Sequence, residues 1–250
     1  MIDAHLHYSP IDAHALPPAE VIALLDRERV SAAVVSGRAG STLAALHRAA
    51  PKRILPFLSV YETRADKRDW MHDLGLPARI REALASGIYR GIGELHLFAK
   101  DRDSPVLAEL VSLAVAHDLV LQVHGDAAVI DAVFEQAPGL RVLWAHLGTD
   151  PRPDAIAPML ARYPNLYADT SVRDGRFVDP DGCLQPEWRS FFVAQADQVL
   201  VGVDTHWPPR WKRFGEVTAE IRGWLAQLPA PVAERLAYRN AARLFGLSVH

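Results

Sequence analysis

The sequence predicts an α/β protein, a single (β/α)8 TIM barrel over residues 1–250. Three observations predict it. The chain has 250 residues, the usual size of that architecture. Eight short apolar, often β-branched stretches alternate with segments at helical spacing. Polar, titratable residues then interrupt or end those stretches instead of scattering between them. In a barrel of parallel strands, the carboxyl ends of the strands share one face.

The expected strands are IDAHLH (2–7), SAAVVSG (31–37), RILPFLSVY (53–61), YRGIGELHLF (89–98), LVLQVH (119–124), RVLWAH (141–146), NLYADTS (165–171) and QVLVGVD (198–204). Several are continuous apolar runs, as strands covered on both faces are. PPAEVIALLDRERV and SPVLAELVSLAVAHD are the clearest amphipathic helices between them. In the second, Ser104 takes the N-cap and Pro105 the first helical position. APVAERLAYRNAARLFGL reads as a closing helix. No linker, low-complexity tract or charge run divides the chain. The long polar connection at about 172–190 follows the seventh strand on the face where strands end, and loops of that length usually carry function.

Half of the residues are hydrophobic and the net charge is −3. That composition fills a large core and argues against a nucleic-acid partner, which would draw on clustered basic residues. The lysines are only Lys52, Lys67, Lys100 and Lys212. One cysteine, Cys183, makes no internal disulfide and gives no sign of an oxidising compartment. No signal-peptide pattern and no apolar run near the roughly 20 residues of a membrane span is visible. The expectation is a soluble cytoplasmic protein with a small-molecule substrate. Oligomeric state stays open, a homodimer included.

Reading each strand to its end yields a set: His5 and His7 on the first, Glu94 on the fourth, His124 on the fifth, His146 on the sixth and Asp204 on the eighth. Side chains alternate along a strand, so His5 and His7 share a face and can grip one ion. Imidazole nitrogens and carboxylate oxygens are the donors that zinc and similar divalent ions take in catalytic sites. Weaker candidates for touching a substrate are His96, two residues past Glu94, then His206 and Trp207 after Asp204. Arg38, Tyr61, Lys100 and Arg173 also follow strand ends. His14, His47, His72, His117 and His250 fall elsewhere and receive no role.

This set resembles the amidohydrolase superfamily of metal-dependent hydrolases, and within it the amidohydrolase-related branch. The superfamily motif is His-x-His on strand one, a carboxylate or modified lysine on strand four, histidines on strands five and six, and aspartate on strand eight. PNLYADTS is similar to that branch's seventh strand. The resemblance implies that His5, His7, Glu94, His124, His146 and Asp204 bind one or two divalent ions. Zinc comes first, with Mn, Fe, Ni and Co as options. If Glu94 bridges, the centre is binuclear. If it does not, His5, His7, His124 and Asp204 hold one ion and His146 polarises the substrate.

On either arrangement Asp204 serves as acid–base group, and the expected reaction is hydrolysis of an amide, an ester or lactone, or a phosphoester. GIGELH is also similar to the glutamate sequence of TatD-like deoxyribonucleases, which keeps a metal-dependent nuclease as an alternative. A mononuclear decarboxylase is another, and a non-catalytic metal-stabilised barrel a third.

Overall fold

Eight strands run parallel in chain order around one sheet: β1 (Ile2–His7), β2 (Ala32–Gly37), β3 (Ile54–Leu58), β4 (Gly91–His96), β5 (Val120–His124), β6 (Val142–Trp144), β7 (Leu166–Asp169) and β8 (Val199–Leu200). The computed structural model describes residues 1–37, 40–63 and 65–248, so Arg38 and His250 lie outside the described residues. The seam between β8 and β1 is drawn together by the backbone. Ala4 N donates to Val201 O at 2.9 Å, and Asp204 N to His5 O at 2.7 Å. With that seam the sheet is a nearly closed (β/α)8 barrel. Among the described residues no helix is long and apolar enough to cross a membrane.

Two apolar layers form because strand side chains alternate. Ile2, Ala4, Ala32, Val34, Leu55, Phe57, Val120, Leu143, Tyr167 and Leu200 pack together toward the barrel axis, with Ala241, Ala242 and Leu244 beneath them. Leu6, Val35, Leu58, Ile92, Leu95, Leu121 and Val123 face outward and pack with the surrounding helices. Along the inward face, apolar residues give way to polar ones toward the strand ends. Val120 is followed by Gln122 and His124, and Ala32 and Val34 by Ser36, whose Oγ donates to Gln122 Oε1 at 2.9 Å.

The expected elements differ from the observed ones where the backbone turns. The sixth strand ends at Trp144, and the chain bends through Ala145–Leu147 with His146 at φ 60°. The eighth pairs only over Val199–Leu200, because its continuation hydrogen-bonds to β1 instead. The closing helix is interrupted: Ala230–Glu234 and Asn240–Phe245 flank a π turn at Arg235–Arg239. Asn240 is buried there and donates to Ala196 O and Val199 O, tying the last helix to β8. Ser104 is the expected N-cap, its Oγ accepting from Val106 N at 3.1 Å and Leu107 N at 3.3 Å. The 172–190 connection contributes to the core through Phe177, which packs edge-on against Trp188, Phe192 and Trp224.

Candidate metal centre

Simple alternation from Ile2 and Ala4 would turn Leu6 toward the axis and His5 and His7 outward. A register shift against β2 between Asp3 and Leu6 reverses the parity. Leu6 packs outward and the two histidines face in. A second shift, between Ile92 and Leu95 against β5, does the same for Glu94 and His96. Bulges of this kind re-aim side chains beside functional sites. Each has a local support. Asp3 Oδ1 accepts from His5 N at 3.0 Å and from Val203 N at 3.1 Å, holding the first bulge and the seam together. Gly93 sits at φ +141°, where a Cβ would lie 2.5 Å from Gln122 O, so glycine is required.

The six residues named by the superfamily pattern converge. His5 Nε2 lies 3.2 Å from His7 Nε2, and His7 Nε2 lies 3.3 Å from Asp204 Oδ1. Glu94 Oε1 contacts His124 Nδ1 at 2.8 Å and His146 Nε2 at 3.0 Å. Its other oxygen, Oε2, faces His7 Nε2 at 3.5 Å and His5 Nε2 at 3.9 Å. Two donor triads result, His5–His7–Asp204 and Glu94–His124–His146, each with ligand atoms within 4.8 Å of one another. The Glu94 carboxylate stands between them.

Asp169 is a site residue that the strand-end reading passed over, although it ends β7 as the others end theirs. Its Oδ2 accepts from His5 Nδ1 at 3.1 Å. Its Oδ1 accepts from His146 N at 3.2 Å, from Ser171 N at 3.0 Å and from the Ser171 hydroxyl. Ser171 Oγ in turn lies 2.8 Å from His146 Nδ1. With Nδ1 engaged on both rings, Nε2 of His5 and of His146 turns into the site, which is how second-layer partners orient imidazole ligands. His5, His146 and Asp169 also form a third cluster of potential donors. Asp169 receives four hydrogen bonds there, three on Oδ1 and one on Oδ2.

The electrostatics follow from burying carboxylates among imidazoles. Burial works against a charge on His5, but Asp169, Asp204 and Glu94 outweigh it and push its pKa up to about 10. Burial would raise Glu94, and contacts from His124, His146, His7 and His96 hold it well below the usual carboxylate range. Asp204 is also lowered, burial being overcome by His5, His7 and a hydrogen bond from His206. His96 goes down, through burial first, with His124 and Lys67 in the same direction against Glu94.

A divalent ion fits these residues. The donors are nitrogens and carboxylate oxygens, the set such ions prefer. Asp204 Oδ1 is buried and, among the described residues, receives no hydrogen bond, His7 Nε2 standing beside it at 3.3 Å. An orphaned acceptor of that kind is costly, and a cation would satisfy it.

The weaker candidates separate. His96 reaches the centre, its Nε2 lying 2.9 Å from Glu94 Oε2. His206 stands at the rim, Nδ1 3.4 Å from Asp204 Oδ2, with Trp207 half exposed beside it. Arg173 turns to the backbone, where its Nε and Nη2 donate to His146 O and Gly148 O, each at 2.7 Å. Tyr61 is buried under His96, and its hydroxyl accepts from His96 N at 2.5 Å. Lys100 is exposed beside Asp101, and Cys183 is an exposed free thiol.

Residues 2–247 match the family model described as amidohydrolase. No curated protein matches the chain. Solved structures share the fold. A TatD homologue from Escherichia coli K12 superposes with TM-score 0.67 at 16% identity, covering 99% of this chain and 98% of that one. A probable 2-pyrone-4,6-dicarboxylic acid hydrolase from Acinetobacter baumannii, with citric acid bound, gives 0.64 at 14%, covering 98% of each chain. A 4-oxalomesaconate hydratase from Rhodopseudomonas palustris gives 0.62 at 12%, covering 98% of this chain and 95% of that one.

Proposed function

The chain belongs to the amidohydrolase family, and from that premise we propose a metal-dependent hydrolase that cleaves an amide, an ester or lactone, or a phosphoester of a small molecule. One observation carries the reading: a single buried carboxylate, Glu94, faces both triads, Oε1 toward His124 and His146 and Oε2 toward His5 and His7. In this reading His5, His7 and Asp204 would hold one ion and His124 and His146 another, with Glu94 available to both. Zinc is the first choice, and Mn, Fe, Ni and Co take the same donors.

A divalent ion held there would supply a water of lowered pKa and a Lewis acid for the oxygen of the scissile group. The chain's own residues do the rest. Asp204 accepts the proton of the attacking water on its carboxylate and returns it to the leaving group. Asp169 and Ser171 keep His5 and His146 turned inward. His206 and Trp207, at the rim beyond Asp204, are the residues there that would touch the substrate. Small-molecule turnover in the cytoplasm is the setting this reading takes.

The test is a panel of lactones, amides and phosphoesters with the metal-loaded protein, followed by Asp204→Asn on whichever substrate turns over. The expected loss is about 10²–10⁴-fold with metal still bound. A variant with its metal and full turnover would remove Asp204 from the acid–base role.

A further inference from the structure

The centre is closed on one side and open on the other. His5, Glu94, His146 and Asp204 are buried, whereas the side chains of His7, His96 and His124 are 23%, 19% and 29% exposed. A molecule reaching Glu94 therefore arrives along those three rings. On that side stands Lys67, in the short 3-10 turn Ala65–Arg68 of the loop after β3.

Lys67 is held in place more firmly than a surface lysine. Its Nζ lies 2.8 Å from His96 Nε2 and 5.5 Å from the centroid of the Tyr61 ring, a cation–π seat. His96 is itself fixed from several directions. Its N donates to Tyr61 Oη, its carbonyl accepts from Trp70 Nε1 at 2.9 Å, and its ring stacks on His124 with centroids 4.1 Å apart. Lys67 is half-buried, and among the described residues it forms no ion pair with a carboxylate. An ammonium offers three donors, and this one stands beside the same His96 Nε2 that contacts Glu94. Two donors remain for a group arriving beside His96.

We propose that Lys67 is the specificity residue of this site and captures an anionic oxygen group, a carboxylate or a phosphate, on the substrate. The proposal deepens the hydrolase reading and rests on it. Bound at Lys67, such a group would place the rest of a compact substrate across His96 and His124 toward Glu94. Phe98, 45% exposed and edge-on to the His124 ring, gives the same approach an apolar wall.

Calorimetric titration of the metal-loaded protein tests this, with succinate, inorganic phosphate and the neutral analogue succinamide as probes. Metal content is measured on the same samples. Wild type is expected to bind succinate or phosphate, and whichever binds identifies the group. Lys67→Met should weaken that anion about tenfold or more at unchanged metal content, the loss expected for a charged hydrogen bond. Lys67→Arg should recover much of the affinity, and succinamide should be indifferent to all three. Equal anion affinity in wild type and Lys67→Met would overturn the proposal. So would parallel losses for succinate and succinamide, or no anion binding by wild type. A wild type that holds no metal would instead count against the hydrolase reading, and the Lys67→Met ratio separates the two failures.

Discussion

Asp169 Oδ2 lies 3.1 Å from His5 Nδ1, and the opposite nitrogen of that ring faces His7 Nε2 at 3.2 Å. One carboxylate at the end of β7 thus sets which way the His5 ring on β1 is turned. Asp169→Asn keeps the size and removes the charge. It should lower metal affinity about 10–100-fold while the protein stays folded, as removal of such second-layer partners does. Competition against a chromogenic chelator measures it, and unchanged affinity would show that the His5 tautomer is set elsewhere.

Asp3 supports the bulge rather than the metal. Burial raises its pKa from an ordinary 3.8 to about 7, opposed by the hydrogen bonds from His5 N and Val203 N. A carboxyl raised on folding contributes stability that is complete below the unfolded pKa near 4 and lost as pH rises through about 7. Asp3→Asn cannot ionise. The stability of wild type relative to Asp3→Asn should therefore fall between pH 4 and pH 8. Urea unfolding of both proteins across that range checks the slope, and a flat difference would contradict it.

Both His146 and Asp204 sit at positive φ, 60° and 57°. Consecutive residues of the loop after β7 brace the two positions. Arg173 donates to His146 O. Asp174 pairs with Arg210, whose Nε donates to Asp204 O at 3.0 Å and to Val203 O at 3.1 Å. Arg210 is buried, so Asp174→Ala leaves an uncompensated charge. A loss of about 3 kcal/mol is expected in urea unfolding. A loss below about 1 kcal/mol would mean that solvent screens Arg210 as it does a surface cation.

Ser104 has a simpler role. Its Oγ caps the helix Pro105–Ala116 and also donates to Met71 O at 2.6 Å. Ser104→Ala should cost about 1–2 kcal/mol, read as a lower urea midpoint at unchanged m-value.

Barrel class, strand order and the Ser104 cap were legible because each leaves a local mark: apolar runs, their spacing, and a Ser-Pro pair before a helical segment. The six converging residues were legible because they end or interrupt those runs. The bulges were not. Alternation from Ile2 would bury Leu6 on the axis, and only the pairing of β1 with β2 shows the parity change. The short β6 and β8 were overextended because apolar composition continues past the points where the backbone turns. Asp169 carried the same strand-end signal as Asp204 but lacked a place in the motif. Lys67 had no signal at all, since a 29-residue separation from His96 is closed only by the fold.

The measurement that bears most directly on the shared Glu94 is metal content per chain, on protein purified without chelator, beside Glu94→Ala. About two ions are expected in wild type and one or fewer in the variant, because Glu94 faces both triads. About one ion in both proteins would contradict a shared carboxylate and leave His146 free to act on the substrate.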